Sequence, residues 1–205
     1  MPGGDTAPAP AERGMRADAR RNRGRILAAA EAAIARDGVD ASLEEIARQA
    51  GVGSATLHRH FPSRQSLLES VFRGRVETLC AKAGDFAAEF DPATALFTWL
   101  RAVGTHAAAN RGLAPSLMRG ARDGNGAGDP TLGTTCHTMI INAGGMLLDE
   151  AVRTHAVRSG IVITDLLKLV GAISLAAELE PDGATQADRL ITLAFDGVRA
   201  TRPSP

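Results

Sequence analysis

The segment 54–60 carries side chains whose types and spacing fit chemistry with a nucleic acid. In a helix, Leu57 would point inward and leave a face of small residues followed by hydrogen-bond donors: Ser54, Ala55, Thr56, His58, Arg59 and His60. Small residues let a helix backbone approach DNA closely, and donors can reach phosphates and base edges in the major groove. This face indicates DNA binding. The alternative is an ordinary corner between two helices with a solvated face.

The other chemistry-bearing residues do not suggest a catalytic or metal site. His106, His137 and His155 are scattered, and the acidic pair at 149–150 has no nucleophile motif or glycine-rich phosphate loop beside it. Cys136 and His137 are adjacent, so on a helix their side chains point about 100° apart, and no further ligands lie nearby. We expect no catalytic residues, no metal and no cofactor. A small helical enzyme is kept as a rival interpretation.

A second basic feature precedes this segment. Four arginines fall in the first turns of a predicted helix, where positive charge opposes the helix dipole: Arg20, Arg21, Arg23 and Arg25. They reduce local stability unless phosphates supply the countercharge, so all four are expected to contact phosphates, with Arg21 and Arg23 foremost. For Arg13 and Arg16 a solvated tail fits equally well.

Helical periodicity and breakers define the elements that must position these side chains. A first helix is predicted over 18–36. Ser42 to Glu45 form a capping-box pattern that opens a short second helix, which stops at Gly51, a residue able to take the left-handed conformation. After a third helix over 54–60, Ser63 is predicted to cap a fourth.

Periodicity predicts further helices over 131–158, 164–177 and 185–200. The stretch 160–163 looks strand-like, but four residues without a partner cannot form a sheet. The sequence therefore predicts an all-α fold.

Four stretches between Ile26 and Leu79 carry a long and specific signature: Ser42-Leu43-Glu44-Glu45-Ile46-Ala47, Ala50-Gly51-Val52-Gly53, Thr56-Leu57-His58-Arg59-His60-Phe61-Pro62-Ser63-Arg64 and Leu67-Leu68. They closely resemble the N-terminal helix-turn-helix domain of TetR-family regulators. The resemblance implies that six residues face DNA: Ser42, Thr56, His58, Arg59, His60 and Arg64. Two positions depart from the family pattern, because His58 replaces the usual backbone-contacting tyrosine and Arg64 replaces the usual lysine.

The second half has the size and helical layout of TetR-family ligand domains, and residues 99–118 are similar to the SbtR-like subgroup. The resemblance implies a small-molecule pocket between the central helices and a dimer formed by the last two. Candidate pocket residues are Phe86, Phe97, Trp99, Val103, His106, Met118 and Met139. Candidate interface residues are Leu166, Val170, Ile173, Ile191, Ala194 and Val198. For both sets the alternative is an ordinary core.

We divide the chain into a disordered basic arm over 1–17, a DNA-binding domain over 18–80 that includes the connecting fourth helix, and a ligand-sensing and dimerising domain over 81–205. The formal net charge is zero, and no apolar run approaches the roughly 18 residues of a membrane span. Two distant cysteines and no apolar leader favour the cytoplasm. We expect a homodimeric repressor that binds double-stranded operator DNA and is released by an unidentified small molecule. The alternative is an architectural DNA-binding protein without a ligand.

Overall fold

The computed structural model describes residues 10–110, 131–177 and 180–199, with side chains from residue 14 onward. These residues form eight helices: α1 (Pro10–Asp37), α2 (Leu43–Gln49), α3 (Ser54–His60), α4 (Arg64–Glu89), α5 (Pro92–Ala109), α6 (Leu132–Arg153), α7 (Ile163–Ala176) and α8 (Gly183–Asp196). Within this part of the chain the only pairing of extended backbone is an isolated antiparallel bridge between Val157 and Arg199. The prediction of an all-α fold is confirmed.

Two helix boundaries differ from the sequence prediction by five residues or more. Helix α1 begins at Pro10, so residues 10–17, expected to belong to a disordered arm, are helical; proline suits the first turn because it needs no amide donor there. Helix α6 ends at Arg153 and not near 158. His155 takes a positive φ of 56°, and the amides of Ala156 and Val157 both turn back to the carbonyl oxygen of Ala151.

Helices α1 to α4 share one core. Ile26 and Ala30 of α1 are fully buried, and they pack in the same cluster as Ile46 of α2, Leu57 of α3 and Val71 of α4. Serine caps start two of the helices. Ser42 accepts from the amide of Glu45 at 3.3 Å, and Ser63 forms a reciprocal capping box with Ser66. The core and the caps together fix where α3 stands relative to α1 and α4.

A second core surrounds α5, which contacts α4, α6, α7 and α8. Trp99 is fully buried, and its indole Nε1 donates to the carbonyl oxygen of Leu79 at 3.0 Å. Gly144 of α6 lies so close to Trp99 and Ile163 that a Cβ at this position would collide with both side chains. Asp91 caps α5 by accepting from two amides, and Pro92 occupies its first turn.

Helix α4 belongs to both cores, since Val76 packs in the first and Leu79 in the second. The expected division at residue 80 therefore falls inside a continuous helix. In the described part of the chain, no helix is long and apolar enough to cross a membrane.

Candidate nucleic-acid interface

The turn between α2 and α3 is fixed by Gly51. This residue has a φ of +62°, a left-handed backbone conformation that residues other than glycine rarely adopt. Its amide donates to Arg48 at 3.1 Å, and the amide of Val52 donates to the carbonyl oxygen of Ala47 at 3.0 Å. These bonds close α2 and reverse the chain into α3, in which Leu57 is 1% exposed and anchors the helix to the core. The geometry is that of a helix-turn-helix.

The outer face of α3 carries the residues that the sequence singled out. Ser54, Ala55, His58 and Arg59 are exposed, whereas Thr56 and His60 are half-buried. The helix is only seven residues long, so all six lie within two turns. A surface with small side chains at its N-terminal end and guanidinium and imidazole groups at the other can enter a major groove and donate to base edges and phosphates.

Ser42 is already hydrogen-bonded within the protein. Its hydroxyl accepts from the amide of Glu45 and donates to a carboxylate oxygen of Glu44 at 2.8 Å. The pKa of Glu44 is lowered by a hydrogen bond from its own backbone amide and by the Ser42 hydroxyl, so Glu44 is ionised at neutral pH. Ser42 therefore acts first as a helix cap, with a negative charge beside it.

The second half of the expected capping box does not form in the way the sequence suggested. The carboxylate of Glu45 accepts instead from Arg48 at 2.6 Å and from Gln49 at 2.7 Å. These bonds lower the pKa of Glu45 to about 2. The reason is geometric, because Arg48 and Gln49 lie one turn further along the same helix face.

Arg64 occupies a structural position. Its Nη1 donates to the carbonyl oxygens of Val39 at 3.1 Å and Ala41 at 2.6 Å, in the loop between α1 and α2. The side chain is half-buried. It thus ties the first turn of α4 to the start of α2.

The arginines of α1 are distributed around the helix-turn-helix. Arg21 pairs with Asp18 one turn earlier on the exposed surface. Arg23 reaches the Ser70 hydroxyl at 3.4 Å and lies 5.3 Å from the centre of the Phe61 ring. Arg25, one of the four arginines expected to contact phosphates, donates to the carbonyl oxygen of Gly51 at 3.3 Å. The signal for Arg25 was its position within an arginine run immediately before Ile26, but its partner lies 26 residues away.

Comparisons with known proteins agree with this geometry. Residues 26–71 match the model of bacterial regulatory proteins of the tetR family, and residues 91–200 match the C-terminal domain of SbtR-like transcriptional regulators. The second match alone covers more than half of the chain. The chain belongs to the TetR family of transcriptional regulators.

Solved TetR-family structures are similar over nearly the whole chain. A TetR transcriptional regulator from Streptomyces coelicolor is 39% identical, with a TM-score of 0.75, over 88% of this chain and 99% of the other. A TetR regulatory protein from Mycobacterium vanbaalenii is 31% identical, with a TM-score of 0.68, over 90% and 99%. A comparison with curated proteins found no match.

The residues expected at the dimer interface of this TetR-family protein lie in its own core. Leu166, Val170, Ile191 and Val198 are buried, Ile173 is half-buried against the same cluster, and Ala194 is half-buried. The stripe faces α5, so most of its side chains are already covered within one copy of the chain. On the opposite sides of α7 and α8, Leu175 and Leu193 are 70% and 69% exposed, and Leu169, at the edge of the stripe beside Leu166 and Val170, is 42% exposed.

The residues expected to line an apolar pocket are dispersed. Trp99 and Val103 are buried, Phe97 stacks on Phe195 at 4.7 Å between ring centres, and Phe86 contacts Phe90. Met139 packs against the other core, around Ile26 and Leu57, and Met118 lies outside the described residues. The space between α5, α7 and α8 is about 10 Å³, which is filled core. Among the described members of the set, His106 is the one that lines a large cavity.

That cavity is a cleft of about 390 Å³ between α1, α4 and α5. Leu79, Ala102 and Ala109 form its apolar part, and its polar lining is Glu31, Arg75, Thr78, Lys82, Thr105, His106 and Asn110. The sequence signal that could have identified this cleft was spacing of three, four and seven residues. One face of α4 carries residues 75, 78 and 82, and one face of α5 carries residues 102, 105 and 109. Apolar and aromatic side chains are the usual sequence signal of a ligand pocket, so His106 was the one polar lining residue named from the sequence.

The described residues include no group of three or more His, Cys, Asp or Glu side chains that could hold a metal ion. Cys136 is buried, whereas the adjacent His137 is exposed. The two side chains therefore point to different surroundings.

Proposed function

We propose that this TetR-family protein is a homodimeric repressor that binds operator DNA through α3 and dissociates when a small molecule binds to its C-terminal part. The observation that carries the proposal is the face of α3, where Ser54, His58 and Arg59 are exposed around the anchored Leu57. Helix α3 is supported by the Gly51 turn and, through Leu57, by the core that it shares with α1 and α4. A rigid support lets the exposed donors discriminate between bases.

In this proposal, His58 and Arg59 contact bases or phosphates directly. Ser54 and Thr56 lie where the backbone of α3 comes closest to the DNA. Arg21 and Arg23 contribute salt-dependent contacts to the DNA backbone, for which they must exchange their partners Asp18 and Ser70. His60 and Arg64 remain candidates at the edge of the surface. Ser42 contributes mainly through its cap. Such a repressor acts in the cytoplasm, where bacterial DNA lies.

A second copy of the chain is expected on the exposed side of α7 and α8. Leu175 lies on this side of α7 with Ala172, Leu169 lies at its edge, and Leu193 lies on the neighbouring helix. Large apolar side chains exposed together indicate a protein surface that is buried in the assembly. Two helices from each copy would place the two α3 helices on successive major grooves, roughly 34 Å apart.

The rival functions make different expectations. An architectural protein would bind DNA with an affinity that no metabolite changes, and a helical enzyme would not bind DNA specifically. The cleft beside α1 favours regulation, because a polar cavity of this size is within the range that small ligands occupy, roughly 300–1,000 Å³.

The decisive experiment is selection of DNA fragments from a random library by the purified protein, followed by sequencing. The proposal expects enrichment of a palindromic motif with two half-sites about one helical turn apart, roughly 10 base pairs. Repeating the selection with Arg59→Ala should lose or relax the motif, while the matched control Arg158→Ala, an exposed arginine in the turn after α6, should recover it. No enrichment by the wild type would refute the proposal.

A further inference from the structure

We propose that the cleft between α1, α4 and α5 binds a small organic carboxylate and that this ligand is the effector that releases DNA. The inference rests on the proposed repressor function and assigns its ligand site and ligand class.

The charges in the cleft favour an anion. Arg75 and Lys82 come from one face of α4, seven residues apart, and Glu31 is the carboxylate in the described lining. Thr78 and Thr105 also line the cleft, but their hydroxyl groups already donate to the carbonyl oxygens of Gly74 and Arg101. A carboxylate ligand would meet two cations, and an arginine can bind both of its oxygens.

Arg75 is held in place by a buried polar chain. Its Nη1 donates to Oδ1 of Asn110 at 2.8 Å, and Asn110 is only 4% exposed. A guanidinium can only donate, so the amide oxygen of Asn110 faces Arg75 and its Nδ2 faces His106. That Nδ2 donates to the His106 carbonyl at 2.8 Å and lies 3.2 Å from the ring Nδ1.

This chain also sets the state of His106. Because Nδ1 accepts from Asn110, the ring proton of neutral His106 is on Nε2, and the ring brings a further donor to the lining of the cleft. Burial and the neighbouring Arg75 lower the pKa of His106, which keeps the ring neutral at physiological pH. The cleft thus contains fixed donors and one mobile cation, Lys82.

The remainder of the lining suits an apolar body. Leu79, Ala102 and Ala109 provide carbon surface beside the charged groups. A ligand with a carboxylate on a short hydrocarbon or aromatic body would satisfy both parts of the cleft. The volume of about 390 Å³ admits such a molecule.

Glu31 gives the site a route to the DNA-binding surface. It lies on α1, the helix whose Arg25 donates to the Gly51 turn, whereas Arg75 and Lys82 lie on α4. A carboxylate bound by Arg75 and Lys82 adds a second negative charge to a cleft that already contains Glu31, and the two anions repel each other. The ligand therefore favours a state in which α1 moves relative to α4, and a differential affinity of this kind is what shifts a conformational equilibrium.

The test uses three carboxylates, benzoate, 3-phenylpropanoate and octanoate, each with its neutral amide. Binding is followed by calorimetry and by the fluorescence of Trp99, the only tryptophan, whose Nε1 donates to the backbone of the cleft residue Leu79. We expect at least one carboxylate to bind saturably and its amide to bind about tenfold more weakly, as for the loss of one charge-assisted contact. Equal binding of acid and amide, or no binding of any acid, would overturn the site.

Lys82→Gln and Lys168→Gln form a matched pair, since these are the two lysines of the chain and both are exposed. Lys82→Gln should weaken carboxylate binding about fivefold to tenfold, and Lys168→Gln should leave it unchanged. If Lys82→Gln binds as the wild type does, the assignment of the cleft is wrong.

Operator affinity is measured separately, by fluorescence anisotropy of labelled DNA with and without the carboxylate that binds. A fall of roughly 5-fold to 150-fold supports the effector role. Unchanged affinity with a saturated cleft overturns that role. If the wild type binds no operator at all, the repressor function fails while carboxylate binding still stands or falls by the calorimetry.

Discussion

Nη1 of Arg64 donates to the carbonyl oxygen of Ala41 at 2.6 Å. A second bond from the same nitrogen to Val39 gives the loop between α1 and α2 two contacts with α4. Both carbonyl groups immediately precede α2, so the side chain controls where that helix begins. This structural role stands beside the DNA contact that the family resemblance implied, which stays a prediction.

Arg64→Ala should lower the free energy of unfolding by about 2 kcal/mol, because half-buried carbonyl groups lose a charged donor. Arg64→Lys should recover part of it, since one ammonium can reach one of the two carbonyl groups. Urea denaturation of the DNA-free protein measures both. A normal unfolding free energy together with a weakened operator complex would return Arg64 to the DNA contacts.

Gly51→Ala should destabilise the protein for two separable reasons. The alanine Cβ is strained at positive φ, by roughly 1–2 kcal/mol, and it displaces the exposed end of the Arg25 side chain, which then loses its hydrogen bond to the carbonyl oxygen of Gly51. Gly38 has a φ of +79° and open space around it, so Gly38→Ala measures the backbone strain alone. Gly53 has a φ of −71° and open space, so Gly53→Ala has neither the strain nor the contact with Arg25. We expect the loss of stability to rank Gly51, then Gly38, then Gly53. In an Arg25→Ala background, Gly51→Ala should cost about as much stability as Gly38→Ala does in the wild type.

Arg59→Ala should weaken specific operator binding by roughly 1–3 kcal/mol without changing stability, because the side chain is exposed on α3. A base contact would be lost only on the selected operator. A phosphate contact would be lost on all DNA and would flatten the dependence of log K on log salt by roughly 0.9. Titrations of operator and random DNA at several salt concentrations separate the two. Unaltered affinity in a folded variant would remove Arg59 from the interface.

Local signals explain why so much of the DNA-binding part could be predicted. Ser42, Gly51 and Ser63 act within a few residues of themselves, so their types alone fix caps and turns. Arg64 and Arg25 could not be assigned in the same way, because their carbonyl partners lie more than twenty residues away and a sequence does not show which side chains meet across a bundle.

The C-terminal part was predicted in outline only. Helix α7 has apolar or small residues on both sides, so periodicity could not decide which of its sides faces α5, whereas on α8 the side opposite Ile191 carries Arg189 and Asp196 around Leu193. The structure buries Val170 and Ile191 and leaves Leu175 and Leu193 exposed. The cleft was missed for a related reason, since its lining combines heptads from two helices with Glu31 of a third.

Leu175→Glu and Leu193→Glu should convert the dimer to monomers and abolish operator binding, because each places a charge in the proposed contact between copies. Both residues are about 70% exposed, so the variants should fold normally. Ile191→Glu, in the core, should unfold instead. Met15→Glu changes an equally exposed apolar residue on α1 and serves as the control. Sedimentation analysis reads out the mass, and two variants that sediment as wild type would exclude this surface.

His106 should make stability depend on pH below neutrality. Burial, and secondly Arg75, lower its pKa from the ordinary 6.5 in the folded state. Below pH 6.5 His106 therefore binds a proton more readily in the unfolded chain than in the folded protein. The contribution of neutral His106 to the free energy of unfolding is fully present above pH 6.5 and is lost as the pH falls through the lower pKa of the folded state. Protonation of Nδ1 would also set a donor against the Nδ2 donor of Asn110.

His106→Gln removes the titration, so its unfolding free energy should fall less than that of the wild type between about pH 7 and pH 5. His137→Gln, at an exposed position of α6, should follow the wild type. If all three proteins lose stability in parallel in urea titrations across this range, other groups cause the acid dependence.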